Sequence, residues 1–336
     1  MIISDIDILE NDILELYPGV FDILLRDHTT QKNIFWATDN YKELGEYYQY
    51  SSEILTESIT GKNGNVIMPR VKKDTLIQQT RVRNMAEVFT PSWVCNAQNN
   101  LVDDAWFERE NVFNKEVNIH GKKVWITNLE KISFPKGLTW KSYVSLNRME
   151  ITCGEAPYLA SRYDTTTGEF IPIENRIGFL DRKLRVINEN VNESGEWLEA
   201  AQIAYKSIYG FEWQGDSLLL ARESLLITFI ENYVKKFGKE PLLKSIKYIA
   251  YIISWNLWQM DGLKGVVPNS CYVSTEKTES LFGSESKDVA CEGCKKNNIQ
   301  KHNGIFCLIK DWKAKDLKTN KRGKKIRFID LMKEDK

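Results

Sequence analysis

Two periods of apolar residues alternate along the middle of the chain, and they predict alternating helices and strands. Apolar residues recur every three to four positions, the spacing of a helix, in three segments: 196–206, 218–234 and 242–253. Short apolar runs at 148–154 and 207–212 precede these helices, and each run ends in a glycine or an acidic residue, which is typical of a strand followed by a turn. Strands that alternate with helices favour a parallel, doubly wound α/β sheet.

The same patterns divide the chain into three regions. Residues 1–80 are polar, and their weak helical spacing predicts a mostly helical N-terminal region. Residues 81–268 contain the predicted sheet, with a small β insertion at about 108–146. Within the insertion, His120–Lys122 separates two runs of alternating apolar and polar residues, which predicts a hairpin turn. Residues 269–336 form a cysteine-containing, basic C-terminal extension.

A further helix is predicted between Ala86 and Phe107, where large apolar residues recur with a helical period. Pro91 stands near its start, where proline is tolerated because the first helical N–H groups have no intrahelical partner. Thr90 is the expected N-cap, since a threonine hydroxyl can accept a hydrogen bond from one of those N–H groups.

Composition places the chain among ordinary globular proteins. Of its 336 residues, 42% are hydrophobic and 27% are charged, as in most soluble domains. No apolar run reaches the roughly 20 residues of a membrane span, and the first residues lack the pattern of a secretory signal. Together with six sparse cysteines, these features predict a cytoplasmic protein with no membrane partner and no disulfide scaffold.

The overall charge argues against a stand-alone nucleic-acid binder. Lysine plus arginine and aspartate plus glutamate each total 46, so the net charge is zero, whereas such binders usually carry a basic excess. The charge is uneven, however, because residues 310–336 contain 11 basic and 5 acidic side chains. This basic segment is either a solvated tail or a surface for phosphate or for a partner.

Three turns after the predicted strands carry groups that suit a nucleoside-bearing ligand. Gly154 follows the first strand and lets the backbone approach a ligand closely. Glu212 ends the second strand and Asp261 follows the third, so their carboxylates can accept hydrogen bonds from ribose hydroxyls and from an adenine amino group. Ligands of doubly wound sheets bind beyond the carboxyl ends of the strands. The Gly-x-Gly-x-x-Gly pattern of dinucleotide sites and the phosphate-binding loop of nucleotide hydrolases are both absent from the sequence.

Four segments resemble, in the same order, the motifs of adenine-specific DNA methyltransferases of bacterial restriction-modification systems, of the type labelled restriction endonuclease subunit M. The segments are Glu87–Pro91, Met149–Tyr158, Ile208–Glu212 with Leu218–Arg222, and Asn256–Asp261. The resemblance covers about residues 80–268. It implies a Rossmann-like, doubly wound α/β methyltransferase sheet that binds S-adenosylmethionine.

The resemblance also implies which residues hold that cofactor. Phe89 and Thr90 would lie against its methionine end. Glu212 would hold the ribose, and Asp261 would bind the adenine. The full set implied at the cofactor site is Phe89, Thr90, Pro91, Glu150, Thr152, Cys153, Gly154, Glu212, Trp213, Asp261 and Gly262. Glu155 departs from the family, because small or glycine residues are usual at its place in the motif.

The catalytic tetrapeptide of that family, Asn/Asp-Pro-Pro-Tyr/Phe, occurs nowhere in the sequence. In the family its first side chain and a backbone carbonyl accept hydrogen bonds from the target adenine, and its aromatic ring stacks on the flipped base. Without it the chain is not expected to methylate DNA alone, so no catalytic residue is assigned. Lys325–Met332 resembles the segment shortly upstream of the tetrapeptide, which implies that the catalytic strand would begin about where this sequence ends.

We therefore expect a split enzyme. A second methyltransferase subunit would carry the catalytic motif and the target-recognition region, and double-stranded DNA would be bound through the complex. The alternative is a catalytically inactive methyltransferase-fold protein that acts as a scaffold or regulatory subunit. A different nucleotide-binding enzyme on the same kind of sheet also stays open.

A cysteine cluster late in the chain predicts a structural zinc site. Cys291 and Cys294 form a Cys-x-x-Cys knuckle, which supplies two ligands with the separation that tetrahedral zinc needs. The predicted ligand set is Cys271, Cys291, Cys294 and Cys307, with His302 as the substitute. Free cytosolic thiols in a loop, or a redox pair, are the alternatives.

Overall fold

The structure, a computed structural model, describes residues 6–8, 10–74, 78, 81–82, 89–280 and 283–332. Its helices are α1 (Glu10–Leu16), α2 (Phe21–Leu25), α3 (Thr56–Ile59), α4 (Ser92–Phe107), α5 (Trp140–Val144), α6 (Phe179–Asn190), α7 (Ser194–Lys206), α8 (Gly215–Phe237), α9 (Leu243–Asn256) and α10 (Glu292–Lys296). Its strands are β1 (Asn114–Ile119), β2 (Lys122–Thr127), β3 (Arg148–Ile151), β4 (Ile208–Glu212), β5 (Leu257–Gln259), β6 (Ser274–Ser280), β7 (Gly283–Val289), β8 (Leu308–Lys315) and β9 (Arg322–Arg327). Short 3-10 turns lie at Lys42–Leu44, Glu46–Tyr48, Gly61–Asn63, Arg70–Lys72, Ile173–Asn175 and Phe328–Met332.

The centre of the fold is a three-stranded parallel sheet in the order β3–β4–β5. Met149 lies opposite Tyr209 in the ladder, and Phe211 lies opposite Trp258. The helices α6 and α7 connect β3 to β4, and α8 and α9 connect β4 to β5. The predicted alternation of strands and helices is therefore confirmed, and the turns that follow the three strands lie at one edge of the sheet.

The sheets are small and mixed. The central sheet has only three parallel strands among the described residues, fewer than the doubly wound sheet that the sequence predicts. The other strands of the described residues form two-stranded antiparallel hairpins: β1–β2, β6–β7 and β8–β9. A doubly wound sheet continues from its first strand into a second half, and only one half is present in the described part of the chain. As a consequence, β3 is an edge strand.

The helix α8 spans 23 residues and contacts both the sheet and α2. Every residue from Gly215 to Tyr233 is buried, which is the pattern of a helix that packs on all sides. It ends at Gly238, whose φ of +69° is the left-handed conformation common at helix C-termini. No helix in the described residues is both long enough and apolar enough to cross a membrane.

The N-terminus of α4 is capped by a distant side chain, so the prediction that Thr90 caps it is wrong. The helix begins at Ser92, directly after Pro91, and the Ser92 N–H donates to the Asp164 carboxylate at 2.7 Å. The Thr90 carbonyl instead accepts a hydrogen bond from the Thr165 hydroxyl. The predicted helix start is confirmed, but a carboxylate 72 residues away satisfies the free N–H group.

The β1–β2 hairpin confirms the turn predicted inside the β insertion. The φ angles are +51° at His120 and +82° at Gly121, and positive values at both central residues are what a type I′ turn requires. Trp125 and Thr127 donate hydrogen bonds to Asn175, at 2.8 and 2.9 Å. These bonds attach the hairpin to the body of the fold.

The N-terminal region is less helical than predicted and belongs to the main core. Its helices α1, α2 and α3 have 7, 5 and 4 residues. One cluster of buried hydrophobic side chains extends from Ile8 to Leu257. The Gln259 side chain accepts a hydrogen bond from the Phe35 N–H and donates one to the Phe35 carbonyl. Packing on the sheet, and not local helix formation, therefore fixes the path of this region.

A buried network of charged side chains joins α8 to the N-terminal region. Asp216, in the first turn of α8, accepts hydrogen bonds from Arg81 at 2.8 Å, from Lys73 at 3.2 Å and from the Tyr41 hydroxyl at 2.7 Å. Burial alone would raise the pKa of Asp216, but the charges of Arg81 and Lys73 outweigh burial and hold that pKa far below its usual range. The network therefore stabilises the fold while Asp216 is ionised.

We expect Asp216→Asn to lower the free energy of unfolding by about 3 kcal/mol, because it leaves two buried cations without their carboxylate. In the unmodified protein this stabilisation is fully present above the pKa of an unfolded aspartate, about 3.9, and it is lost as the pH falls below that value. Urea unfolding of both proteins from about pH 7 to about pH 3 checks this, since the difference should shrink towards acid.

Asp39→Asn is the matched control, because Asp39 is exposed and its substitution removes the same charge. Equal unfolding midpoints for the two variants would contradict a stabilising role of the network.

Candidate metal centre and candidate cofactor site

Three cysteines and one histidine converge in the C-terminal extension. The Sγ atoms of Cys271, Cys291 and Cys294 lie 3.5, 3.6 and 3.6 Å from Nδ1 of His302, and all four ligand atoms lie within 4.8 Å of one another. Tetrahedral zinc, with Zn–S of about 2.3 Å and Zn–N of about 2.0–2.1 Å, would place each sulfur about 3.5–3.6 Å from the nitrogen. The cluster therefore has the donor set and spacing of a site that can bind a metal ion such as zinc.

Two glycines allow these ligands to approach one another. A Cβ atom at Gly293, inside the Cys-x-x-Cys knuckle, would lie 2.6 Å from the His302 backbone nitrogen and 2.7 Å from its Nδ1 atom. A Cβ atom at Gly304 would lie 3.1 Å from Sγ of Cys271. A side chain at either position would push a ligand away, so the close approach requires glycine.

Hydrogen bonds around the cluster orient its ligands and favour a thiolate. The Asn303 N–H donates to Sγ of Cys291 at 3.3 Å, and the Asn303 side chain pairs with the N–H and carbonyl of Tyr272. Burial raises the pKa of Cys291, but hydrogen bonds from the Asn303 and Cys294 backbone and from His302 outweigh it and lower that pKa to about 6. The thiolate is the form of cysteine that binds metal ions.

Cys307 is not part of the cluster, so its assignment as a metal ligand is wrong, and His302 takes its place. Cys307 is fully buried in a second hydrophobic cluster that includes Phe211, and its Sγ donates to the Gln259 carbonyl at 3.4 Å. The signal for this placement was in the sequence, since Cys307 stands in the apolar run 305–309. A free cysteine in such a run behaves as a small hydrophobic residue.

At the carboxyl-terminal edge of the sheet, Glu212 connects the turns that follow β3 and β4. The Gly154 N–H donates to Oε2 of Glu212 at 2.8 Å, and the N–H groups of Trp213 and Gln214 donate to Oε1 at 2.9 and 3.3 Å. Burial raises the pKa of Glu212, while these backbone N–H groups act to lower it. The structure thus brings the predicted glycine turn and the predicted ribose acid into direct contact.

The turn after β3 holds a strained backbone. Thr152, Gly154 and Ala156 have φ angles of +48°, +53° and +60°, and residues other than glycine rarely adopt this left-handed region. The cost is roughly 1–2 kcal/mol for each such residue, and strain of this kind is concentrated at functional sites. A Cβ atom at Gly154 would lie 3.5 Å from the Phe89 ring, so Phe89 lies beside the glycine turn.

The segment that leads into this site is described only in part. Glu87 and Val88 of the first motif lie outside the described residues. Thr90 and Pro91 lie at the entrance to α4, where the Thr90 carbonyl accepts a hydrogen bond from Cys95 at 3.6 Å. Of this motif, Phe89 is the residue that the structure places against the glycine turn.

Glu150 brings a second buried carboxyl group to the same edge. Its Oε2 atom has no hydrogen-bond partner among the described residues. Burial raises the pKa of Glu150 well above its usual range, backbone N–H groups of Tyr158 and Leu159 act to lower it, and the neighbouring Glu212 raises it. A ligand ammonium group at this oxygen would favour the ionised form of the carboxyl.

Glu155, which departs from the family pattern, supports the turn. Its carboxylate accepts hydrogen bonds from the Arg70 N–H at 2.7 Å and from the Tyr163 hydroxyl at 2.6 Å. Cys153 is also a supporting residue, because it is buried and its N–H donates to the Phe211 carbonyl at 2.9 Å. Glu155 therefore links the turn to Arg70 of the N-terminal region and to Tyr163.

The third turn is organised by Asp261. The N–H groups of Leu263 and Lys264 donate to Oδ1 at 3.1 and 3.2 Å, and the Lys264 ammonium lies 3.0 Å from Oδ2. A Cβ atom at Gly262 would lie 2.5 Å from the Phe211 ring, so this turn packs directly on β4. A ligand amino group at Asp261 would compete with Lys264 for the carboxylate.

The N-terminal region contributes a residue that the sequence patterns did not identify. The Trp213 indole N–H donates to the Tyr50 hydroxyl at 3.1 Å, and the Tyr50 ring lies 6.4 Å from that of Phe35. Tyr50 and Trp213 are 163 residues apart. No local motif surrounds Tyr50, so only the tertiary structure places it at this edge.

The metal cluster and the Asp261 turn belong to one packed unit. The Cys307 N–H donates to the Gly265 carbonyl at 3.1 Å, which ties the C-terminal extension to the turn. The Asp261 carboxylate raises the pKa of Lys264, and the nearby Cys294 raises it further. Loss of the metal cluster would therefore disturb the turn that holds Asp261.

We expect protein purified without chelators to contain about one zinc ion per chain. Cys294→Ser should lose the metal, because a serine hydroxyl is a poor replacement for a thiolate ligand, and Gly293→Ala should lose it by displacing His302. Cys307→Ser should keep it. Inductively coupled plasma mass spectrometry of the four proteins measures the stoichiometry.

Cys307→Ser is the control that separates the two ligand sets. Zinc that is lost in Cys307→Ser and kept in Cys294→Ser would contradict the observed cluster. Zinc content near zero in the unmodified protein would remove the zinc assignment.

Comparison with protein-family models, with curated proteins and with solved structures found no match for this chain. Its function is therefore inferred from the residues and contacts described above.

Proposed function

We propose that this chain is the S-adenosylmethionine-binding subunit of an adenine-N6 DNA methyltransferase of a restriction-modification or phage-defence system, and that a second polypeptide supplies the catalytic motif and target recognition. The observation that carries the proposal is the hydrogen bond between Gly154 and Glu212, which joins the turns of two adjacent parallel strands. The order of the motifs favours S-adenosylmethionine as the ligand. The absence of the Gly-x-Gly-x-x-Gly turn from the sequence argues against a dinucleotide.

The ribose of the cofactor has a candidate partner in Glu212. A carboxylate offers about four acceptor positions, and backbone N–H groups use three of those on Glu212. One position remains for a ribose hydroxyl, and a small rotation of Glu212 away from the Gly154 N–H would free a second. Asp261 would accept a hydrogen bond from the adenine amino group once Lys264 moves aside.

The methionine end has candidate partners on the other side of the glycine turn. The Glu150 oxygen that has no partner among the described residues suits an ammonium group. The Phe89 ring lies beside Gly154, and the Arg70 guanidinium lies 5.1 Å from its centre. When bound, S-adenosylmethionine supplies an activated methyl group. The residues of this chain bind and orient it.

The outer edge of β3 is the place at which we expect the second polypeptide to attach. In doubly wound sheets the second half begins with a strand that pairs with this edge, and no strand of the described residues occupies it. Met149 and Ile151 on β3 are apolar, yet 39% and 68% exposed. An exposed apolar edge strand is a template for pairing with another strand, so a strand of the catalytic subunit would cover it.

The metal ion has a structural role in this proposal. Its four protein ligands fill a tetrahedral site and leave no position open for a substrate. The cluster lies beside the Asp261 turn, and a bound ion would hold that turn in place.

Calorimetric titration with S-adenosylmethionine tests the cofactor site. We expect binding by the unmodified protein and at least about tenfold weaker binding by Glu212→Gln, because hydrogen bonds to a charged acceptor are the stronger ones. Glu150→Gln should weaken binding as well, through the ammonium end. Thermal melting of each variant shows whether the fold is kept.

Glu196→Gln, at an exposed carboxylate on α7, is the matched control and should bind normally. If the unmodified chain fails to bind S-adenosylmethionine even with its partner present, the proposal is wrong, and an inactive scaffold is favoured.

Transfer of a tritiated methyl group from S-adenosylmethionine to DNA tests whether the enzyme is divided between two polypeptides. We expect none from this chain alone and clear transfer when the polypeptide with the Asn/Asp-Pro-Pro-Tyr/Phe motif, sought first in the adjacent gene, is added. Ile151→Asp should reduce transfer in the mixture, because a charge on the outer edge of β3 opposes strand pairing.

Ile119→Asp is the control for this change, since Ile119 is an apolar strand residue of similar exposure, 49%, on the β1–β2 hairpin. Methylation of DNA by this chain alone would refute the proposal that a second polypeptide supplies the catalytic motif.

A further inference from the structure

We propose that a second ligand site lies at the opposite end of the sheet, in a basic, aromatic-lined cleft that binds single-stranded nucleic acid. The cavity has a volume of about 610 Å³. We call it the basic cleft, and the side chains that give it its character are Lys206, Tyr248, Lys310, Trp312, Lys313 and Arg322.

The basic cleft is separate from the candidate cofactor site. Asn147 and Ser207, which also line it, directly precede β3 and β4. The cleft therefore opens at the amino-terminal edge of the sheet, whereas Gly154 and Glu212 follow the same strands at the carboxyl-terminal edge. The two sites share no residue, so this proposal does not depend on the proposed cofactor.

Positive charge dominates the lining of the cleft. It holds four cationic side chains, Lys206, Lys310, Lys313 and Arg322, against the single carboxylate of Asp311. That carboxylate is already turned to the backbone, where it accepts the N–H groups of Lys313 and Ala314 at 2.9 and 3.0 Å. In the described part of the chain none of the four cations forms an ion pair. Cations without a carboxylate partner are what a phosphate backbone needs.

The positive charge near the cleft also acts on His28, which lies behind the lining residues and contacts Trp255. His28 stacks on Trp255 at a ring distance of 4.0 Å, and the Lys310 ammonium lies 5.3 Å from that Trp255 ring. Burial lowers the pKa of His28, and the charges of Arg222 and Lys310 lower it further, to about 3. The imidazole is therefore neutral near pH 7, and the positive charge of this region comes from its lysine and arginine side chains.

Aromatic rings alternate with the cations in this lining. The Lys310 ammonium lies 4.6 Å from the Trp312 ring centre and 4.9 Å from that of Tyr251, and the Lys206 ammonium lies 5.2 Å from Tyr248. Tyr248 is 37% exposed, and the Tyr251 ring lies nearly parallel to it at a distance of 6.3 Å. Rings of this kind are platforms on which unpaired bases stack.

These observations together select the ligand class. An acidic peptide would use the cations but not the rings, while unpaired nucleotides use both. The cavity falls in the range of about 300–1,000 Å³ that holds small organic ligands, so it can admit a nucleotide unit. Bases in a duplex keep their faces stacked on one another, so they cannot stack on a protein ring without being unpaired. Single-stranded nucleic acid is therefore the favoured ligand.

Fluorescence anisotropy of the full chain with a labelled single-stranded oligonucleotide of about 12 nucleotides tests the proposal, since one binding domain covers about 4–16 nucleotides. We expect Lys313→Glu with Arg322→Glu to weaken binding at least about tenfold and to reduce the slope of log affinity against log salt by about 1.4, because two phosphate contacts are lost. Tyr248→Ala should weaken binding about tenfold through lost stacking.

Lys62→Glu with Lys115→Glu is the matched control, because both lysines are exposed, neither lines the cleft, and the charge change is the same. The three substituted residues of the cleft, Tyr248, Lys313 and Arg322, are all exposed. The cleft variants should therefore melt at the same temperature as the unmodified protein.

Three outcomes would overturn the assignment. One is equal affinity of the unmodified protein and the charge-reversed cleft variant. Another is competition by polyglutamate as strong as that by the unlabelled oligonucleotide, with Tyr248→Ala binding normally, which would point to an acidic protein partner. The third is binding of thymidine monophosphate as tight as that of the oligonucleotide, which would assign the cleft to free nucleotides.

Discussion

The buried guanidinium of Arg222 is the group on which the arrangement of the fold depends. It is fully buried on α8 and donates hydrogen bonds to backbone carbonyls of the N-terminal region, of α9 and of β5: Leu24, Arg26, Ser254 and Leu257. Burial lowers the pKa of Arg222 to about 10, which still leaves it charged near neutral pH. A buried charge must be solvated by the protein itself. The N-terminal region, α9 and β5 therefore converge around Arg222.

The two edges of this small sheet have opposite electrostatic character. Carboxylates gather at the carboxyl-terminal edge, at Glu150, Glu212 and Asp261, whereas cations gather in the basic cleft at the other edge, with Lys310 above its aromatic rings. The net charge of zero therefore hides a local separation of acidic and basic side chains between the two edges. The arrangement suits a cationic, nucleoside-bearing ligand at one edge and a polyanion at the other, with the metal cluster supporting the acidic side.

Much of the fold could be predicted from the sequence, because helix and strand periods depend on neighbours within a few residues. The helices α7, α8 and α9, the strands β3 and β4 and the His120–Gly121 turn follow from such periods. The contact between the glycine turn and the acid at the end of β4 also follows, since the carboxyl ends of adjacent parallel strands lie at one edge. The Cys-x-x-Cys knuckle is likewise local, and both of its cysteines belong to the cluster.

Tertiary structure decided the choices that join distant residues. Asp164 and not Thr90 caps α4, and His302 and not Cys307 completes the cysteine–histidine cluster. Tyr50 lies at the carboxyl-terminal edge of the sheet, where it contacts Trp213. In each case several side chains had suitable chemistry, and the packing of the core set which one came within hydrogen-bonding or coordination distance. The sequence by itself determined the elements, their order and the kinds of ligand groups. Only the three-dimensional structure decided which groups meet, and that no strand of the described residues pairs with the outer edge of β3, because both depend on contacts between segments far apart in the chain.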